Sequence, residues 1–198
     1  MKSPLSSLIW LSVRPLLRLR ARRLARLIAS ELGAGDRVLD VGCGDLGIGK
    51  EVRKIVDVSW TGVDVLDYAF GYEQVEGLDF QKYDGKALPY PDGRMDVVIV
   101  AFVLHHCEDP VGLLTEAGRV VKRRLVVFED IPEGRCGWFL VRFHDFLVNR
   151  FLVPDMSLPY GFKTLGEWTD LFESLGMRVC RAERLKTHPF AFVNQTLF

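Results

Sequence analysis

The order of apolar and polar segments predicts an open α/β sheet, mostly parallel, with helices on both faces. Short apolar runs that are typical of buried strands alternate with segments of helical periodicity, and polar residues gather where the runs end. A glycine-rich loop follows the first run, at the place where such sheets bind nucleotide-type cofactors. With 198 residues the chain is long enough for one well-buried domain.

The first predicted strand and the loop after it are the main evidence for a cofactor site. Residues 37–41 (R-V-L-D-V) form a short apolar run, the pattern of a strand buried on both faces. Four glycines then fall within eight residues: Gly42, Gly44, Gly47 and Gly49. Because glycine has no Cβ, such a loop can turn sharply and approach a ligand closely. Residues 48–56 predict a helix whose first N–H groups would face that ligand.

The elements that follow continue the alternation. Strands are predicted at residues 60–64, 78–84, 95–102 and 125–128, and a helix at 111–121. Acidic side chains stand at the ends of three of these strands, namely Asp64, Asp84 and the pair Glu129 and Asp130. The strand 95–102 runs into L-H-H-C-E-D-P (104–110), which predicts His105 and His106 at the same sheet edge as the glycine loop.

The last third of the chain interrupts this alternation. Residues 137–153 are aromatic and apolar, with His144, Asp145 and Asn149 on roughly one face of a predicted helix. Such a segment either covers a pocket or fills the core beneath it, and the residues leave both interpretations open. A helix is predicted at 164–175, with a capping box, and residues 179–185 and 190–197 predict a closing strand pair.

The beginning of the chain is basic. Leucines alternate with arginines over residues 14–32, Gly33 is a stop signal, and no acidic residue precedes Glu31. We therefore expect residues 1–33 to form a basic amphipathic helical segment. It would either pack on the edge of the domain with a solvated face, or lie on anionic lipid with Trp10 and residues 5–13 as its apolar part.

Composition excludes some classes of protein. The formal net charge is zero, which disfavours a nucleic-acid binder. The four cysteines show no metal-type spacing, so we expect reduced thiols in a cytoplasmic protein. The lipid interpretation of the basic segment would make that protein peripheral at the membrane. A monomer and a homodimer both fit, and no bound metal is expected because adjacent residues such as His105 and His106 rarely converge on one ion.

The glycine loop alone does not identify the cofactor. Residues 42–47 match the dinucleotide fingerprint G-x-G-x-x-G literally, with Asp64 at about the spacing of the ribose-binding acid. A nicotinamide reductase of the common short-chain type also needs a Tyr-x-x-x-Lys pair for proton transfer, and no tyrosine here has a lysine four residues later.

The fuller pattern resembles the class I S-adenosylmethionine-dependent methyltransferases, in particular the ubiquinone/menaquinone and small-molecule group. The matching segments are V-L-D-V-G-C-G (38–44), T-G-V-D-V (61–65), Y-D-G-K-A-L-P-Y-P-D-G-R-M-D-V-V (83–98), V-L-H-H-C-E-D-P (103–110) and E-A-G-R-V-V-K (116–122). The resemblance implies a Rossmann-like sheet of strand order 3-2-1-4-5-7-6, a methyltransferase domain over 34–198, and a substrate-lid insertion at 131–163. The activity implied is methyl transfer to a small apolar or aromatic acceptor such as a quinone, isoprenoid, polyketide or lipid-linked sugar.

The resemblance also implies the residues that bind S-adenosylmethionine, whose product is S-adenosylhomocysteine. Asp40 would anchor the loop and the cofactor ammonium, Asp64 the ribose hydroxyls, and Asp84 the adenine amino group. The full set is Asp40, Gly42, Cys43, Gly44, Asp64, Val65, Asp84, Gly85, Ala101 and Phe102.

Two positions depart from the family pattern. The third glycine of G-x-G-x-G is replaced by Leu46, which could narrow or reshape the cofactor loop. The usual Pro-Gly-Gly turn is replaced by Arg123 and Arg124, a local variation away from the chemistry.

The resemblance suggests a general base for the reaction. His106 or His105 would take a proton from the acceptor, partnered by Asp130 or, as second choice, Glu129, although both histidines could instead cap the next helix or shape the cofactor pocket. Trp138, His144 and Asn149 are candidate substrate residues. The alternatives to a small-molecule methyltransferase are a non-catalytic cofactor-binding or partner subunit, an NAD(P)-dependent reductase, and a protein or nucleic-acid methyltransferase.

Overall fold

The computed structural model describes residues 4–66, 77–152, 158–185 and 194–198. Its helices are α1 (Pro4–Ala29), α2 (Gly47–Val52), α3 (Pro110–Val120), α4 (Gly134–Leu152) and α5 (Leu165–Ser174), with a 3-10 turn at Leu104–His106. Its strands are β1 (Arg37–Val41), β2 (Ser59–Asp64), β3 (Leu78–Lys82), β4 (Met95–Ala101), β5 (Val121–Ile131), β6 (Glu183–Leu185) and β7 (Asn194–Leu197).

The strands form one seven-stranded sheet in the order β3-β2-β1-β4-β5-β7-β6. The first five strands pair in parallel, and β7 is antiparallel to both β5 and β6. This confirms the predicted fold class and strand order. The carboxyl ends of β1, β2, β4 and β5 therefore meet at one edge of the sheet, where the predicted polar residues converge.

Two hydrophobic cores cover the two faces of the sheet. On one face, Leu24 and Ile28 of α1 pack with Trp60 of β2 and Phe128 of β5. On the other, Leu114 of α3 packs with a cluster that includes Trp168 and Phe172 of α5. Val97 to Val100 of β4 are fully buried because the strand has a core on each side, as its continuous apolar run predicted.

Several boundaries differ from the sequence expectation. The first helix begins well before residue 14 and ends at Ala29. Strand β5 extends to both sides of the predicted 125–128, because it pairs with β4 from Val121 and continues into the β7 ladder as far as Ile131. Arg123 and Arg124, the replaced family turn, form ion pairs with Asp36 and Glu31 beside the first helix.

The predicted capping box of α5 is present. The Thr164 side chain accepts from the Glu167 N–H, and the Glu167 carboxylate accepts from the Thr164 N–H. Residue 153 of the predicted aromatic segment and residues 190–193 of the last predicted strand lie outside the described residues. All four cysteines are free thiols. Over the described ranges, no helix has the length and apolar character that crossing a membrane requires.

Candidate functional site

The glycine loop leaves open space beside its backbone. Gly42 has φ 72°, and a Cβ there would lie 2.3 Å from Val103 Cγ2, so a side chain does not fit. Gly44 has φ 54°, and a Cβ there would meet no atom within 4 Å. Positive φ is costly for residues with a side chain, which explains glycine at both positions. The backbone at Gly44 is thus accessible to a ligand.

Leu46 occupies the position of the family's third glycine without filling this space. Its φ is 58°, in the left-handed region, and its side chain is buried in the core on the α1 face of the sheet. A Cβ at Gly62 of β2 would lie 2.3 Å from Leu46 Cδ2. The leucine side chain therefore points at β2, and the predicted narrowing of the loop is not observed beside Gly44.

Asp64 connects the end of β2 to the loop. Its Oδ2 accepts the Gly44 N–H at 3.0 Å, and its Oδ1 accepts the Leu66 N–H at 3.0 Å. Burial raises the pKa of Asp64, while these N–H donors act in the opposite direction. The carboxylate lies beside the open space at Gly44.

Asp40, at the end of β1, has an unsatisfied oxygen. The residue is almost fully buried, and its Oδ2 has no hydrogen-bond partner. Burial and the negative charge of Asp64 raise the pKa of Asp40 to about 7. An unpartnered buried carboxylate oxygen needs a donor or a cation. The ammonium of S-adenosylmethionine supplies both, so the residues present fit this cofactor.

The second half of the predicted cofactor site is built from the ends of β2 and β3. Val65 is exposed, and its Cγ1 lies 3.0 Å from the place of a Cβ on Gly85. Asp84 is exposed, and its Oδ1 accepts the N–H groups of Lys86 and Ala87. These bonds lower the pKa of Asp84. The structure thus brings together the two segments that are expected to bind the adenine, and it leaves the apolar Val65 side chain exposed beside Gly85.

The end of β4 carries a contact that sequence reasoning missed. Phe102 has φ 61°, and its N–H donates to the Phe128 carbonyl at 2.8 Å. The Arg20 guanidinium of α1 lies over the Phe102 ring, 4.0 Å from its centroid. Burial lowers the pKa of Arg20, and the charge of Asp130 raises it. The Arg20 guanidinium therefore lies beside the predicted methionine end of the cofactor site, and its buried Nε has no hydrogen-bond partner.

The acid that binds His105 is Glu129, the second choice of the sequence analysis, and not the preferred Asp130. His105 Nδ1 lies 2.5 Å from Glu129 Oε2, and Glu129 Oε1 accepts the Leu104 N–H at 2.8 Å. Successive residues of a strand face opposite sides of the sheet. Asp130 accordingly points to the other face, where Gln195 of β7 donates to its Oδ1 at 2.7 Å.

The surroundings of His105 favour its protonated form. The Phe162 ring stacks on the imidazole at 4.4 Å, and the residue is almost fully buried. Burial alone lowers the pKa of His105, but the charge of Glu129 and hydrogen bonding to Asp145 and Glu129 outweigh it and raise the pKa to about 10. At neutral pH His105 is therefore an imidazolium and a poor general base.

Helix α4 brings a second acid to the histidines. Asp145 Oδ1 lies 3.5 Å from His106 Nε2 and 3.8 Å from His105 Nε2. Asn149, a predicted substrate residue, donates its Nδ2 to Asp145 Oδ1 at 2.6 Å and so holds this carboxylate in place. One ligand atom from each of His105, His106 and Asp145 lies within 4.8 Å of the others, so these three residues are the candidate set for a metal ion.

The remaining predicted substrate residues also lie on α4. His144 is half-buried, and burial lowers its pKa. Trp138 is half-buried near the start of the helix. Sequence reasoning placed Asp145 on the same helix face as His144 and Asn149 without giving it a partner, and it did not assign Arg20 or Phe162 to the site. Their sequence signals are weak, because each reaches the site from a separate segment by tertiary packing.

Comparisons with known proteins agree with this geometry. Residues 39–127 match a family model described as a methyltransferase domain. The chain is 36% identical over 121 residues to a demethylmenaquinone methyltransferase of Renibacterium salmoninarum, covering 56% of this chain and 48% of that protein. It is 33% identical over 108 residues to a 27-O-demethylrifamycin SV methyltransferase of Amycolatopsis mediterranei, covering 50% of this chain and 39% of that protein. The chain thus spans less than half the length of these two curated relatives.

A solved structure shows the same fold. A SAM-dependent methyltransferase from Aquifex aeolicus superposes with a TM-score of 0.65 at 21% identity, covering 87% of this chain and 86% of that chain.

Proposed function

Because residues 39–127 form a methyltransferase domain of the class I S-adenosylmethionine-dependent family, we propose that this protein transfers a methyl group to a small apolar or aromatic acceptor. The observation that carries the proposal is the loop after β1. It combines open space beside Gly44 with two buried carboxylates, Asp40 and Asp64, of which the first has an unpartnered oxygen.

S-adenosylmethionine would supply the methyl group: the acceptor atom would bond to the methyl carbon while the C–S bond breaks and its electron pair stays on the sulfur of S-adenosylhomocysteine. The contribution of the chain is to hold both reactants in position. Asp40 would receive the cofactor ammonium, Asp64 the ribose hydroxyls, and Val65 would pack on the adenine. Ala101 and Phe102 would line the methionine end, where the Arg20 guanidinium lies over the Phe102 ring.

When the acceptor is a hydroxyl, its proton goes to His106. This histidine is less buried than His105, and Asp145 lies 3.5 Å from its Nε2, close enough to stabilise the imidazolium that forms. His105, already protonated through Glu129, is a positioning residue: it holds the turn after β4 and contributes positive charge. Asp130 is not retained as the partner acid, because its carboxylate faces Gln195.

We assign the cover of the acceptor side to helix α4, which lies within the expected lid at 131–163. His144 and Asp145 approach the site from this helix, and aromatic residues make up much of its surface. The acceptor class rests on this apolar character and on the names of the two relatives, one acting on a demethylmenaquinone and one on a demethylated rifamycin. Quinones, isoprenoids, polyketides and lipid-linked sugars are the classes to screen.

The other functions have less support. A non-catalytic subunit would require Leu46 to block the cofactor loop, but the Leu46 side chain packs against Gly62. The NAD(P)-dependent reductase is not retained, because the family is a methyltransferase family and the proton-transfer pair is missing from the sequence.

The test is transfer of tritiated methyl from S-adenosylmethionine to a panel of quinols, phenols and hydroxylated polyketides. We expect turnover with at least one class, its loss in Asp64→Ala, and a drop of about a hundredfold or more in kcat for His106→Ala with an oxygen acceptor. Asp57→Ala, which removes an almost fully exposed carboxylate, is the matched control. Cofactor binding without transfer to any acceptor would instead support the non-catalytic subunit.

A further inference from the structure

Helix α4 presents an exposed apolar face. Its exposed large side chains are Phe139 (67% exposed), Phe143 (50%), Phe146 (43%) and Leu147 (38%). At about 100° per residue these four positions fall within one arc of roughly 100°. We call this set the α4 stripe. The buried side chains of the helix, Val141, Asp145 and Asn149, lie on the opposite side, from which Asp145 approaches His105 and His106.

The α4 stripe is unusual for a protein surface. Single exposed apolar residues are common, whereas a continuous patch of large ones marks an interaction site. Phe139 and Phe143 stack in parallel with ring centroids 5.9 Å apart, which makes the patch continuous along the helix. Leu16, Leu17 and Leu19 add exposed apolar surface on α1, the helix that contacts α4.

The charges on these two helices are one-sided. Together α1 and α4 contain nine arginines and one carboxylate, Asp145, which is buried at the site. The whole chain has a formal net charge of zero, so its negative charge lies elsewhere. Arg18, Arg23 and Arg26 are exposed on α1. The exposed charges that α1 and α4 carry in the described residues are thus positive, and the one carboxylate of these helices is buried.

We propose that the α4 stripe and the exposed arginines of α1 dock on the surface of an anionic lipid bilayer. An amphipathic helix with aromatic side chains on one face and arginines beside it binds at the interface by burying the apolar face and attracting acidic headgroups. A nucleic acid would use the arginines and leave the phenylalanines in water. A protein partner would bury the stripe but has no need of acidic lipid.

The proposal does not depend on methyl transfer, and sedimentation with vesicles tests it directly. The full chain is spun with phosphatidylcholine vesicles with and without phosphatidylserine. We expect binding to the acidic vesicles that weakens with salt, and weak binding to the neutral ones. Phe139→Ser/Phe143→Ser should reduce binding to the acidic vesicles by at least about tenfold. Arg18→Gln/Arg23→Gln should reduce it severalfold.

Two matched controls separate this surface from general effects. Val111→Ser/Leu165→Ser removes two similarly exposed apolar side chains from α3 and α5. Arg94→Gln/Arg178→Gln removes two exposed arginines outside α1 and α4. Both controls should bind as the unmodified chain does. The proposal would be overturned by equal losses of binding in the controls or by the absence of binding to acidic vesicles. A dimer that is detected by light scattering and buries the α4 stripe would also overturn it.

Discussion

The carboxylate of Glu129 binds two groups of the turn after β4, the backbone N–H of Leu104 and the side chain of His105. Its Oε1 accepts the Leu104 N–H at 2.8 Å, and its Oε2 lies 2.5 Å from His105 Nδ1. Both residues are buried, so the pair is a charge-assisted bond in a low-dielectric interior. This bond fixes the turn after β4, at the sheet edge where the glycine loop also lies.

Glu129→Gln should destabilise the fold by about 3 kcal/mol near neutral pH, because it removes the nearer of the two carboxylates at His105 and leaves the more distant Asp145. The folded-state pKa of His105, about 10, is above its ordinary 6.5, so the stabilisation is complete below about pH 6.5 and is lost as pH rises towards 10. Urea unfolding of both proteins across this range measures it, and the difference between them should shrink with rising pH. The exposed Glu173→Gln should change stability by less than about 0.5 kcal/mol. A constant difference at all pH values would mean that the ion pair is not the cause.

Leu46→Gly should also destabilise, although it restores the family residue. Relief of the left-handed backbone gains about 1 kcal/mol, whereas loss of the buried leucine against β2 costs about 3 kcal/mol or more. We expect a net loss of about 2 kcal/mol by thermal or urea unfolding, with affinity for S-adenosylhomocysteine unchanged within about threefold, because the side chain points away from Gly44. A more stable or much tighter-binding variant would show that Leu46 constrains the cofactor loop.

Cofactor affinity should depend on pH through Asp40. Its pKa is raised to about 7, so the carboxylate is partly protonated near neutrality and attracts the cofactor ammonium fully only above that value. Affinity for S-adenosylhomocysteine should therefore rise severalfold between about pH 6 and pH 8, and Asp40→Asn should bind more weakly with little pH dependence. The same rise in Asp40→Asn would assign the titration to another group.

We expect the protein to bind no metal ion, although potential ligand atoms of His105, His106 and Asp145 lie within 4.8 Å of one another. The imidazolium form of His105 has no free nitrogen lone pair for a ligand bond. Elemental analysis should find no stoichiometric metal, and EDTA should leave methyl transfer unchanged. One equivalent of metal that disappears in Asp145→Asn would make this cluster a metal centre.

The sequence could predict the fold and the position of Asp64 beside the glycine loop, because both depend on local patterns. The run 95–102, the glycines at 42 and 44, and the Thr164 capping box are each visible within a few residues. The strand order came from the resemblance and is confirmed. The strand order determines which loops meet at the carboxyl edge of the sheet.

The acceptor half could not be predicted to the same extent. The choice between Glu129 and Asp130 depends on which face of β5 each residue occupies, and that is decided by the long ladders with β4 and β7. Arg20 reaches Phe102 from a helix far away in sequence. The direction of the Leu46 side chain depends on a positive φ that is rare outside glycine.

Calorimetric titration with S-adenosylhomocysteine tests the central claim most directly. The wild type, Asp64→Ala, Asp64→Asn and the control Asp57→Ala are compared after circular dichroism has shown that all four are folded. We expect saturable one-to-one binding to the wild type and the control, and its loss in both Asp64 variants. The absence of binding to folded wild type would contradict the cofactor site and, with it, the proposed methyl transfer.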